Sequence, residues 1–109
     1  MINISFEDDP LYNMCVDLEH AEQAFGSVSA GALVNFISDA NAFENVEELM
    51  DFLGGDIEIS VDDSLFVAIG SDYRATLVVV GTRFDRNANG RIVWASVTRL
   101  KLVEISRWP

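Results

Sequence analysis

Residues 1–73 contain no lysine and no arginine, while holding sixteen Asp and Glu. Other scarcities set further bounds. One cysteine, Cys15, excludes an internal disulfide and fits a reducing compartment. One cysteine and one histidine cannot build a Cys/His zinc centre, which needs at least three protein ligands. The longest apolar runs, LFVAI (65–69) and LVVV (77–80), fall far short of the ~20 residues that span a bilayer. The opening MINISFEDDP has no basic residue and no long apolar region, so no secretory signal is expected and a cytoplasmic protein is the default. Two prolines, no repeat and no low-complexity tract leave no linker, and 109 residues suit a single domain over 1–109.

Half of the residues are apolar, enough for a packed core. The net charge is −11, and it is unevenly distributed. All seven basic residues (Arg74, Arg83, Arg86, Arg91, Arg99, Lys101, Arg107) lie after residue 73, opposed there only by Asp85 and Glu104. A chain this acidic is repelled by phosphate backbones and anionic lipid, so neither direct nucleic-acid nor membrane binding is expected. Trp94 and Trp108 fall in the basic segment, where aromatics on a sheet can stack bases, but the overall charge opposes that use.

Hydrophobic periodicity gives the element order. INISF (2–6) alternates as a half-buried strand. EDDP starts a helix over 10–25, with Leu11, Met14, Leu18, Ala21 and Phe25 on one stripe and Gly26 as its stop. SVSAGALVNFIS (27–38) reads as a second helix capped by a serine. NAFENVEELMDFLGG reads as a third, capped by Asn41 or Asn45, with Ala42, Val46, Leu49, Met50 and Leu53 facing inward. After Gly55 the period changes to two. DIEISVD (56–62), LFVAIG (65–70), RATLVVVGTRF (74–84) and RIVWASVTRLKLVEI (91–105) read as four or five strands joined by short turns, which favour antiparallel neighbours. The expected fold is α+β, in the order β-ααα-ββββ(β), a mostly antiparallel sheet with three helices packed on one face.

RFDRNANGRIVW (83–94) resembles a calcium loop, with Asp85, Asn87, Asn89 and then Gly90. The twelfth position, however, is Ser96 rather than a bidentate carboxylate, and Arg86 and Arg91 oppose a dication. Asn89-Gly90 is a hairpin signal, and a turn between two strands explains every residue. His20 lies near Asp17, three residues away on the first helix, and is expected at the surface; Cys15 is five residues away and on a different face. No nucleophile elbow, phosphate loop or singled-out carboxylate pair is present, so an enzyme is not expected, and no metal or cofactor is assigned.

What remains is the acidic surface. On a helical projection Glu44, Glu47, Glu48 and Asp51 share one ridge, opposite Val46, Leu49 and Leu53. Like charges at three- and four-residue spacing each cost a few tenths of a kcal/mol. Asp56 and Glu58 continue the run into the next strand. These six residues are the expected partner-binding set, pairing with Lys and Arg of a basic protein, either a toxin or a nucleic-acid-binding enzyme. The function expected is a non-catalytic acidic inhibitor: an immunity or antidote protein that neutralises a nuclease-type toxin. One alternative is a phage- or plasmid-borne nucleic-acid mimic acting on a host defence complex, of anti-CRISPR or anti-restriction type. The other is a small α+β ligand-binding domain.

Overall fold

The computed structural model describes residues 2–107. In chain order it contains β1 (Asn3–Phe6), α1 (Asp9–Val16), α2 (Leu18–Phe25), α3 (Ser27–Asn41), α4 (Val46–Leu53), β2 (Ile57–Ile59), β3 (Leu65–Ile69), β4 (Tyr73–Val79) and β5 (Arg99–Arg107). Single 3-10 turns lie at Gly54–Asp56 and Trp94–Ser96. The α+β class is as expected. The helix count and several strand limits are not.

The five strands form one sheet in the order β1-β5-β4-β3-β2. β2, β3, β4 and β5 run antiparallel to their neighbours, whereas β1 lies parallel to β5, pairing Asn3 with Arg99 and Phe6 with Leu102. The sheet is therefore mixed. A parallel neighbour requires a long crossover, and all four helices lie between β1 and β2 in sequence. Alternation sorts the faces: Leu65, Val67 and Ile69 of β3 are buried, while Phe66 and Ala68 between them are half-exposed. Those buried side chains join Leu77, Leu100 and Leu102 from the sheet and Leu33, Phe36 and Ala40 from α3 in one core. Core density also fixes one glycine. Gly70 ends β3 at φ +66, and a Cβ there would lie 2.8 Å from the Oγ of buried Ser29 on α3.

The expected helix over 10–25 is two helices. Asp17 leaves the helical conformation at φ −120 and ψ 106, and its carboxylate accepts the N–H groups of Glu19 (3.0 Å) and His20 (3.4 Å). The apolar stripe continues across this break, which is why periodicity alone reads through it; the capping aspartate is what divides it. α3 extends to Asn41, past the expected 38, and its N-cap is Gly26 rather than a serine. α4 is shorter than expected because Asn41 and Ala42 finish α3. It starts at Asn45, whose side chain accepts the N–H of Glu48 at 3.0 Å.

The largest departure lies between β4 and β5. The expected strands 74–84 and 91–105 do not run up to the Asn-rich turn: β4 stops at Val79 and β5 begins at Arg99. The tight turn itself forms. Gly90 N–H reaches the Asn87 carbonyl at 2.9 Å with Gly90 at φ 78, and Asn87 N–H reaches the Arg91 carbonyl at 2.8 Å. Only the Arg86–Ile92 bridge flanks it. Ile92 and Val97 are buried as loop residues, so their β-branched side chains serve the core without a ladder.

Candidate protein-docking surface

Of the six expected residues, Glu47, Glu48 and Asp51 project from the outer face of α4, and all six are exposed. Val46 and Leu49 are fully buried on the opposite face, and the Val46 N–H is anchored to the Val97 carbonyl at 3.0 Å. Glu44 is not on the helix as expected. It precedes the Asn45 cap, because a residue before the cap lies outside helical φ/ψ. Asp56 closes the 3-10 turn after α4, and Glu58 lies in β2. Glu58 pairs across the ladder with Phe66, so its side chain points to the face opposite buried Leu65 and Val67. The six carboxylates thus follow one continuous piece of chain but face more than one direction.

Glu48 has an internal role. Its Oε1 accepts the Glu44 N–H at 2.9 Å while its own N–H bonds to Asn45. This arrangement satisfies one donor of the first turn and ties down the residue before the cap. It also places acidic side chains in the first turn of α4, where the helix dipole favours them. Glu47, Asp51, Asp56 and Glu58 enter no ion pair among the described residues.

Four of the seven basic residues are engaged elsewhere. Arg86 lies 3.8 Å from Asp63 in the β2–β3 turn, and Lys101 lies 3.0 Å from Glu7. Arg74 sits over the Phe66 ring at 4.3 Å and Arg107 over Tyr73 at 5.4 Å. In the same turn, the Ser64 N–H bonds to Asp62 at 3.1 Å and holds its carboxyl below the usual range.

Phe52 is the residue that sequence reasoning missed. It is 59 % exposed, with its ring 5.2 Å from that of Phe43. At 100° per residue it lies only about 40° from Glu48, which places an aromatic beside the acidic ridge. That signal was present in the projection. Ile59 and Val61 are also exposed, at 42 % and 106 %; Val61 lies beyond the end of β2 in the turn, not on the expected longer strand.

Asn87 Oδ1 accepts the N–H groups of Asn89 (2.9 Å) and Arg91 (3.1 Å), so the oxygen at the third position of a calcium loop is occupied by the turn. Among the described residues no three His, Cys, Asp or Glu side chains are placed to hold a metal ion. His20 Nδ1 lies 2.8 Å from Asp17 Oδ2, both exposed, and this bond is the main cause that holds the Asp17 carboxyl below its usual range. Cys15 is buried, and desolvation pushes its thiol up to about 12. Trp94 is half-buried in its 3-10 turn and packs on the core, and Trp108 lies outside the described residues. A niche lined by Val79, Phe84, Val97 and Arg99 holds about 10 Å³, room for roughly one water. No described helix is long and apolar enough to cross a membrane.

No protein-family model, no curated protein and no solved structure matches this chain.

Proposed function

We infer that this chain is a non-catalytic acidic inhibitor that works by protein–protein contact, and that its target is a basic, nucleic-acid-handling protein. The observation that carries this reading is the state of Glu47, Asp51, Asp56 and Glu58: exposed, and in no ion pair among the described residues although the chain has seven basic side chains. Charge concentrated in this way speeds encounter with a cationic surface and sets register. Phe52, exposed beside the ridge, supplies the aromatic anchor that tight interfaces favour at their centre. The one cysteine is buried with a raised thiol pKa, and the one histidine is exposed and bonded to a helix cap, so neither is poised as a nucleophile or base.

The preferred form is an immunity or antidote protein that covers the basic cleft of a nuclease-type toxin. A nucleic-acid mimic that blocks a host defence complex would use the same surface, and the identity of the target separates the two. A ligand-binding domain fits less well: the depressions between Ile59, Val61 and Arg91, and beside Asn3 and Val80, are open at the surface.

Affinity capture from the native host, at low and high salt, tests this reading. A basic enzyme whose activity the chain suppresses, lost from the resin as salt rises, is the expected result. Capture that survives salt and survives lysine at positions 47, 51 and 56 would overturn it.

A further inference from the structure

β2 forms one side of the sheet, paired with β3 on its inner edge and, among the described residues, with no strand on its outer edge. The Ser60 N–H donates to the Ser64 carbonyl at 2.8 Å, so those opposed residues form a hydrogen-bonded pair. Antiparallel ladders alternate between bonded and non-bonded pairs. Glu58–Phe66 is therefore the next bonded pair, and the N–H and C=O groups of Ile57 and Ile59 point outward. Among the described residues nothing bonds to these four groups.

Sheet edges are commonly blunted by short strands, charged side chains, proline, a bulge or a covering loop. β2 is three residues long and carries one charge, Glu58, but it has neither lysine nor proline and pairs with β3 in unbroken register. The charge at this edge is mainly acidic: Glu58 within the strand, Asp56 before it and Asp62 after it, with Arg91 as a cation beside Ile59 and Val61. Ile59 exposes 42 % of its surface on the other face of the same strand.

We propose that the outer edge of β2 takes up an extended segment of a cationic protein partner as a sixth strand of the sheet. This rests on the docking reading given above and names its geometry. Main-chain bonds to Ile57 and Ile59 hold the incoming strand, and its side chains alternate. A Lys or Arg meets Glu58 on the uncovered face, and apolar side chains meet Ile57 and Ile59. A second copy of this chain is the poorer occupant. Two-fold antiparallel pairing of β2 with itself, in the register that pairs all three of its residues, sets Glu58 directly opposite Glu58 of the other copy, and like charges so placed are destabilising.

The test uses the full ¹⁵N-labelled chain with two probes, a capped Lys-Val-Lys-Val-Lys-Val peptide and hexalysine. With the alternating peptide, the amides of Ile57 and Ile59 are expected to exchange at least about tenfold more slowly. Hexalysine is expected to shift the Glu47 and Asp51 amides without that protection. Ile59→Pro removes an outward N–H and leaves the β3 pairing intact, so it is expected to keep the fold and abolish the protection at Ile57. If the peptide shifts Glu47 and Asp51 while exchange at Ile57 and Ile59 is unchanged, the sixth strand is wrong and the docking surface stands. If neither probe shifts any of these amides, both fail. Protection that appears without peptide and grows with protein concentration would assign the edge to a second copy and overturn the proposal.

Discussion

Glu48 accepts the backbone N–H of Glu44 at 2.9 Å, across the cap that starts α4. One member of the acidic ridge is therefore also a structural element of its own helix, and the two roles separate by mutation. Glu48→Ala is expected to cost about 0.5–1 kcal/mol of stability, as loss of a capping partner does, and Glu48→Gln less. Glu47→Gln and Asp51→Lys are expected to leave the melting temperature within a few degrees. Thermal unfolding followed by circular dichroism checks this; equal losses for all four would remove the distinction.

Gly70→Ala is expected to destabilise by about 1–3 kcal/mol, since it combines left-handed strain with a close approach. Its φ is +66 and the new Cβ would stand 2.8 Å from Ser29 Oγ. Adding Ser29→Ala should recover part of the loss by removing the steric contact and leave the backbone strain. Urea titration of the two variants gives the partition; full recovery would mean that the backbone conformation costs nothing.

Asn87→Ala removes the acceptor for two N–H groups in the turn and is expected to cost about 0.5–1.5 kcal/mol. Calcium at millimolar concentration should leave the melting temperature of the native chain unchanged, because a ligand stabilises only what it binds. A calcium-dependent rise would restore the metal reading of this loop.

The class of fold was legible because alternation in β1 and β2, the short apolar run of β3 and the stripes of α3 and α4 are local patterns. What the sequence hid has specific causes. Asp17 caps a second helix inside an apolar stripe that never changes period. Ile92 and Val97 are β-branched and buried, as strand residues are, yet sit in loop backbone. The parallel pairing of β1 with β5 joins residues about a hundred positions apart, which no local pattern encodes. The acidic ridge was legible from spacing on α4, but Glu48's bond to Glu44, Glu44's place before the cap and the opposite facing of Glu58 required backbone geometry.

Burial pushes the Cys15 thiol from an ordinary 9.0 to about 12. The unfolded chain loses this proton near pH 9 and the folded chain holds it. The contribution is therefore fully present below pH 9 and declines as pH rises towards 12, by at most about 1.4 kcal/mol per pH unit. Cys15→Ala should flatten that decline. A thiol reagent such as a disulfide of thionitrobenzoate should react slowly with the native chain and rapidly in urea; equal rates would mean that Cys15 is accessible.

The claim on which the account depends is that the carboxylates of α4 and the turn after it meet a cationic protein. The most direct measurement is the association rate of the captured target with the native chain and with a Glu47→Lys, Asp51→Lys, Asp56→Lys variant, across a range of ionic strength. The account predicts a fall of about tenfold or more at low salt and a much flatter salt dependence for the variant. Equal rates with equal salt slopes would contradict it.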